Sequence, residues 1–166
     1  MRNLVAVPII LLAVILQSAM ISRIYLLSGF ADLPLVMLAA WALQEDVDSA
    51  WHWSVAMGLM VGFVSAIPIY VPVIAFVLVV AMAQVLQRRV WQAPLLAMFS
   101  VTFLGTIILN TLSYIALSVS GVSMPVEDVL GLLILPGVLL NMLLAVPVYA
   151  IMRDLARWVY PNPEVE

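Results

Sequence analysis

The most informative stretch of this sequence is Leu130-Gly-Leu-Leu-Ile-Leu-Pro136-Gly-Val-Leu-Leu-Asn141-Met-Leu-Leu-Ala-Val-Pro147-Val-Tyr149-Ala-Ile-Met-Arg153-Asp-Leu-Ala-Arg157. It is long enough to cross a bilayer, which takes about 20 apolar residues. Pro136 and Pro147 are predicted to kink this helix, and in a membrane they are tolerated where neighbouring helices satisfy the freed carbonyl groups. Because a buried amide needs a hydrogen-bonding partner, Asn141 predicts that this span packs against a neighbour.

The composition indicates an integral membrane protein. Of its 166 residues, 66% are hydrophobic and 9% are charged, whereas soluble domains carry about 45–50% apolar and about 25% charged residues. Cysteine is absent, which excludes disulfides, thiolate metal sites and a catalytic thiol. The stretches of weaker apolar character, residues 45–53 and 118–128, have the size of loops, so we expect no separate soluble domain.

The positions of charges and prolines predict six membrane spans. Residues 54–87 carry no charge, and as one helix they would be about 50 Å long, against about 30 Å for the hydrocarbon core. Pro68 and Pro72 lie near the middle of this segment and favour a tight hairpin of two short helices. We therefore predict an all-α polytopic membrane protein, a single six-helix bundle with spans at about 4–22, 32–44, 54–69, 71–87, 94–118 and 130–152.

The arginines predict the orientation of the bundle, because loops rich in basic residues stay in the cytoplasm. With six spans, five arginines share one side and Arg23 alone lies on the other. We therefore expect both termini in the cytoplasm, together with Arg88, Arg89, Arg153 and Arg157. These four side chains act as topology signals or contact acidic lipid headgroups and the tails of partners.

Two polar patterns accompany the predicted spans. Asp32 precedes Leu33-Pro34 at the start of the second span, where we expect it to cap the helix near the membrane surface; a functional carboxylate within the membrane is the alternative. On the fifth span polar residues recur every four positions, at Thr102, Thr106, Asn110, Tyr114 and Ser118. Together with Asn141 they predict hydrogen bonds between helices, and the wall of a polar cavity is the alternative.

A face of small residues on the third span is formed by Gly58, Gly62 and Ala66, which are spaced by four. Small residues allow two helices to approach closely in a membrane. The face is expected to pack within the bundle or to form one wall of a groove for the transmembrane helix of a partner.

No stretch of the sequence supports catalysis. A membrane protease or lipid phosphatase needs clustered nucleophilic, basic or acidic groups, and a coupled transporter normally keeps an acid or base at the membrane midplane. The predicted spans carry neither. His52 is the only histidine and lacks the further ligands of a metal site. We expect no enzyme activity, metal or cofactor, and a protein that acts through its helix surfaces.

Three local motifs resemble the family of the rod-shape-determining protein MreD. They are Asp32-Leu-Pro34, then Phe103-Leu-Gly105-Thr106 followed by Tyr114, and finally Pro136…Asn141…Pro147-Val-Tyr149…Arg153. The length and the six-span plan are similar too. The third span of the family usually carries an acid after its glycine pair, but Ala66 stands there in this chain. No role of that acid is carried over.

The resemblance implies a non-catalytic scaffold of the cell-elongation complex in the bacterial inner membrane. Such proteins bind the transmembrane helix of MreC. They help link the MreB filament to the glycosyltransferase RodA and a class B penicillin-binding protein, and nucleic acid is not an expected partner. The family also resembles the substrate-binding subunits of energy-coupling-factor vitamin transporters, which is the alternative function. Those subunits carry an Ala-x-x-x-Ala surface in the first span, whereas Ala6, Ala13 and Ala19 are not spaced by four.

Overall fold

The computed structural model describes residues 6–19, 25–26, 28–44, 47, 49–89, 93–122 and 124–160. In this part of the chain the helices are α1 Ala6–Ala19, α2 Leu33–Ala42, α3 Ala50–Val64, α4 Tyr70–Arg89, α5 Pro94–Val119 and α6 Val126–Val159. Two short strands, β1 Tyr25–Leu26 and β2 Gly29–Phe30, form an antiparallel hairpin between α1 and α2. Arg23 lies outside the described residues.

The predicted helical membrane fold is confirmed at the level of its elements. Helices α4, α5 and α6 are long and apolar enough to cross a membrane, and they match the last three predicted spans. Helices α1, α2 and α3 have 14, 10 and 15 residues, or about 21, 15 and 22 Å at the α-helical rise. Helix α2 therefore covers only about half of a hydrocarbon core of about 30 Å.

Helix α2 lies at the centre of the bundle. Met37 is the one residue of α2 that is not fully buried, and α2 packs against all five other helices. A helix that is apolar on every side is stable only when it is surrounded, which explains why such a short segment holds its place. The predicted turn between α3 and α4 is present, but it lies at Ser65 to Ile69 instead of residues 68–72, and Pro72 lies in the first turn of α4.

The glycine face of α3 packs against α4 of the same chain. A Cβ atom added at Gly58 would lie 2.7 Å from the Cα atom of Val73, and one added at Gly62 would lie 2.9 Å from the Cα atom of Ile69. The two backbones thus approach each other closely, as small residues allow. Of the two predicted alternatives, packing within the bundle is therefore correct at Gly58 and Gly62. A groove for a partner helix at these two residues is wrong, because the same chain already covers them. Ala66 follows the end of α3 and is exposed.

The β-hairpin packs against the first half of α6, where the helix is π-helical from Val129 to Ile134. Pro136 has no N–H group to bond the carbonyl oxygen of Leu132, and the backbone N–H of Ser28 donates to that oxygen at 3.2 Å. The hairpin, rather than a helix, therefore satisfies the carbonyl freed by Pro136. Pro147 lies inside α6 and is exposed, and the kink expected there stays a prediction.

One end of the bundle carries the described arginine side chains, and we call it the arginine end. Arg88 near the end of α4 and Arg153 and Arg157 near the end of α6 are exposed, whereas the side chain of Arg89 lies outside the described set. The hydroxyl groups of Ser49, just before α3, and Tyr160, just after α6, are 3.3 Å apart. Helix α4 returns antiparallel to α3, so its last residues lie at this same end.

Candidate functional site

Three segments far apart in the sequence meet at Asn141. Its side chain is 1% exposed, and its amide nitrogen Nδ2 donates to the Thr106 hydroxyl oxygen at 2.9 Å. Its oxygen Oδ1 accepts from the backbone N–H of Asp32 at 2.6 Å. We call Asp32, Thr106 and Asn141 the polar node. The predicted partner of Asn141 is thereby confirmed, and it consists of two segments rather than one.

The polar node lies halfway through the bundle. Thr106 is in the middle of the 26-residue helix α5, about 20 Å from either end at the rise of an α-helix. Asn141 contacts Thr106 directly, and Asp32 contacts Asn141. Asp32 therefore lies at mid-depth in the bundle.

Asp32 caps α2 as predicted, because its carboxylate oxygen Oδ1 accepts from the backbone N–H of Leu35 at 3.0 Å. Asp32 was predicted to lie near the membrane surface, but the structure places it away from both ends of the bundle. The β-hairpin packs against the first half of α6, and α2 begins at mid-depth of the bundle instead of at its end. Asp32 is thus an acid at mid-depth of the bundle, which was not expected from the sequence.

Gln17 ties α1 to the residues on either side of Asp32. Its amide nitrogen Nε2 donates to the carbonyl oxygen of Ala31 at 2.8 Å, and its oxygen Oε1 accepts from the backbone N–H of Leu33 at 2.9 Å. Sequence reasoning missed this role. The available signal was a lone long amide near the end of an otherwise apolar run.

We expect Gln17→Met to lower the free energy of unfolding by about 1–2 kcal/mol, because the backbone groups of Ala31 and Leu33 lose their partner. Gln44→Met is the matched control, since the described hydrogen bond of the Gln44 side chain goes to the Ala40 carbonyl in the last turn of the adjacent helix α2. Thermal unfolding in one detergent compares the two variants. Equal losses of stability would contradict the bridging role of Gln17.

A cavity of about 480 Å³ lies next to the polar node. It extends toward the end opposite the arginines, where the α3–α4 turn and the loop between α5 and α6 contribute Ile67, Val122 and Met124. Val122 and Met124 are exposed, so the cavity reaches the surface of the bundle there. The polar residues of its lining are Gln17, Ser18, Asp32, Ser65, Thr106, Asn110, Ser113, Tyr114 and Asn141.

The polar stripe of α5 forms one wall of this cavity. Thr106, Asn110 and Tyr114 all line it, and the bond between Thr106 and Asn141 joins two helices. Asn110 instead donates to the Thr106 carbonyl of its own helix at 2.9 Å, and the Tyr114 hydroxyl donates to the Met124 carbonyl at 3.2 Å. Three of the five residues of the stripe thus line the cavity, as the alternative interpretation predicted. The predicted hydrogen bond between helices is present for Thr106 and Asn141.

The lining has the character of a binding pocket, since such pockets are mostly apolar with a few convergent polar groups. Among the lining residues that the structure describes, Asp32 alone has an ionisable side chain of acidic or basic type. The described residues hold no group of three His or acidic side chains suited to a metal ion. A comparison with protein families, curated proteins and solved structures found no match for this chain.

Proposed function

We propose that this protein is a non-catalytic membrane scaffold of the bacterial cell-elongation complex, similar to MreD. The observation that carries the proposal is the polar node. Asp32, Thr106 and Asn141 come from the three separate motifs on which the resemblance rests, and two hydrogen bonds of 2.6 and 2.9 Å join them. Buried polar groups must pair in any apolar bundle, and the proposal draws its support from the fact that the three groups that pair here come one from each motif.

In this proposal the protein binds the transmembrane helix of MreC and thereby connects indirectly to MreB, RodA and a class B penicillin-binding protein. Binding between helices in lipid depends on van der Waals fit and a few hydrogen bonds. Because α4 covers the glycine face of α3, the partner helix must use an outward surface of the bundle. In this proposal both termini face the cytoplasm, where exposed Arg88 and Arg157 contact acidic headgroups, while Arg153 forms an ion pair with Asp154 at 3.4 Å.

Cysteine cross-linking tests this proposal and finds the docking surface. The chain has no cysteine of its own, so each introduced cysteine is the only thiol in the protein that can form a cross-link. Suitable exposed positions, one on each outer helix, are Leu12, Phe63, Val85, Leu104 and Leu143. Each variant is co-expressed with MreC that carries one cysteine in its transmembrane helix.

We expect MreC to co-purify and one helix of the bundle to cross-link far more strongly than the others. Ala39→Cys is the control, because Ala39 is fully buried in α2 and should not react. Failure of MreC to co-purify, together with no cross-link from any of the five helices, would contradict the proposed function.

The cavity favours a second candidate, a substrate-binding subunit of an energy-coupling-factor type transporter. A binding subunit needs a pocket that opens away from the cytoplasm, and the cavity opens at the end opposite the arginines. Co-purification separates the two candidates, since the transporter subunit should retain an ATPase pair in place of MreC. Adjacency of the gene to those of MreB and MreC would favour the scaffold.

A further inference from the structure

The cavity beside the polar node is not required by the docking of a partner helix, and it holds a carboxyl group at mid-depth. Asp32 is partly accessible and lines the inner end of the cavity. The described hydrogen bond of its carboxyl group comes from the backbone N–H of Leu35, which leaves acceptor positions for a further donor. This inference stands independently of the proposed function.

The described surroundings of Asp32 supply no positive charge. The chain has no lysine, and none of the described lining residues is basic. Arg88, Arg153 and Arg157 lie at the arginine end, and exposed His52 lies there too, in the first turn of α3. A lone carboxylate inside a membrane is costly unless a partner compensates for its charge. The inner end of the cavity therefore favours a cation and disfavours phosphate and carboxylate groups.

The remaining lining gives the size and shape of the occupant. Above Asp32 the walls are mostly apolar, with side chains such as Val61, Leu109, Leu117 and Leu133. A volume of about 480 Å³ is within the range of pockets for small molecules, roughly 300–1,000 Å³. The pocket thus suits one small molecule with an apolar body and one polar end.

We propose that the cavity binds a small amphiphile that carries a protonated amine, with the amine at Asp32 and the apolar body against α5 and α6. The amine donates to the Asp32 carboxylate and compensates its charge. The Asn110 and Ser113 side chains, which line the same wall of α5, supply further acceptors. The molecule enters from the end of the bundle that lacks arginines.

The test uses three probes with the same apolar body: 4-phenylbutylamine, 4-phenylbutanol and 4-phenylbutyrate. The purified protein in lipid nanodiscs is titrated with each by calorimetry at neutral pH, and empty nanodiscs correct for partitioning into lipid. We expect saturable binding of the amine, about tenfold or more tighter than that of the alcohol, the difference that a hydrogen bond to a charged group provides. The carboxylate should show no saturable binding.

Asp32→Asn is expected to remove the preference for the amine, because it removes the charge but keeps a side chain that caps α2 equally well. Asp128→Asn is the matched control, since Asp128 is exposed and does not line the cavity; it should keep the preference. Asn110→Trp fills the cavity and should weaken binding of the amine about tenfold or more, as the loss of an apolar pocket does.

Four results would overturn the proposal. They are an absence of saturable amine binding to the natural chain, equal binding of amine and alcohol, tighter binding of the carboxylate, and an unchanged preference in Asp32→Asn. Unchanged amine binding by folded Asn110→Trp would show that the amine binds elsewhere. None of these results depends on whether MreC co-purifies, so this proposal and the scaffold proposal fail separately.

Discussion

Asn141→Leu is expected to lower the free energy of unfolding by about 3 kcal/mol, because it leaves a buried backbone N–H group at Asp32 without an acceptor and removes the donor to Thr106. Leucine has a similar size, so the loss reports the hydrogen bonds and not a cavity. Asn141 is 1% exposed, and lipid cannot replace the missing partner. The measurement is reversible unfolding in mixed micelles, followed by circular dichroism.

Asn110→Leu is the matched control for this change. The Asn110 side chain is partly exposed to the cavity and bonds only the Thr106 carbonyl of its own helix. Its removal should cost less than about 1 kcal/mol, as expected for a local hydrogen bond. Similar losses for Asn141→Leu and Asn110→Leu would contradict the role of Asn141 as the link between three segments.

Gly58→Ala is also expected to cost about 3 kcal/mol, because a new methyl group would overpack the contact between α3 and α4. The added Cβ atom would lie 2.7 Å from the Cα atom and 3.0 Å from the backbone nitrogen of Val73. Backbone atoms cannot rotate away as the end of a side chain can, so α3 and α4 must separate. Fluorescence-detected gel filtration after heating measures the loss of folded protein.

Gly131→Ala is the control, because it should leave the stability unchanged or raise it slightly. A Cβ atom at Gly131 would meet nothing within 4 Å, and alanine favours helix over glycine by about 1 kcal/mol. The expected result is unchanged or slightly higher stability. If Gly58→Ala is as stable as Gly131→Ala, the close approach of α3 and α4 is contradicted.

The helices of this fold were predictable because their signals are local. The uncharged run from 54 to 87, interrupted by Pro68 and Pro72, is too long for one span, and the structure turns between Val64 and Tyr70. The need of Asn141 for a partner was equally predictable, since it follows from the cost of a buried amide. The identity of that partner depends on the tertiary fold.

The start of α2 at mid-depth of the bundle, after the β-hairpin, was not predictable from the residues that mark helix ends. Residues 24–31 have the length of an ordinary link, and Asp32-Leu-Pro34 has the pattern of a helix start at any depth. The absence of charge from residues 24–32, apart from Asp32 itself, was the signal available. A link in water has no need to be apolar, whereas β2 packs against the apolar helix α6.

For the glycine face of α3 and the polar stripe of α5, the sequence alone could not decide between a structural and a functional interpretation. Small residues such as Gly58 and Gly62 suit close packing inside a bundle and docking of a partner equally well. Likewise, Thr106 and Asn110 have side chains that bond a carbonyl of their own helix or a group on another helix. Only the positions of Val73, Ile69 and Asn141 in the fold decide between these alternatives.

Thiol accessibility tests the cavity above Asp32 most directly. Ser113→Cys is nearly isosteric and lines the cavity, while Ser100→Cys lies on the same helix nearer the arginine end and does not line it. Sealed vesicles of each orientation are treated with a small, membrane-impermeant cationic methanethiosulfonate. We expect Ser113→Cys to react from the side opposite the arginines and Ser100→Cys to stay unmodified from that side. A folded Ser113→Cys protein that resists the reagent there, or reacts only from the arginine side, would contradict an open cavity at that end.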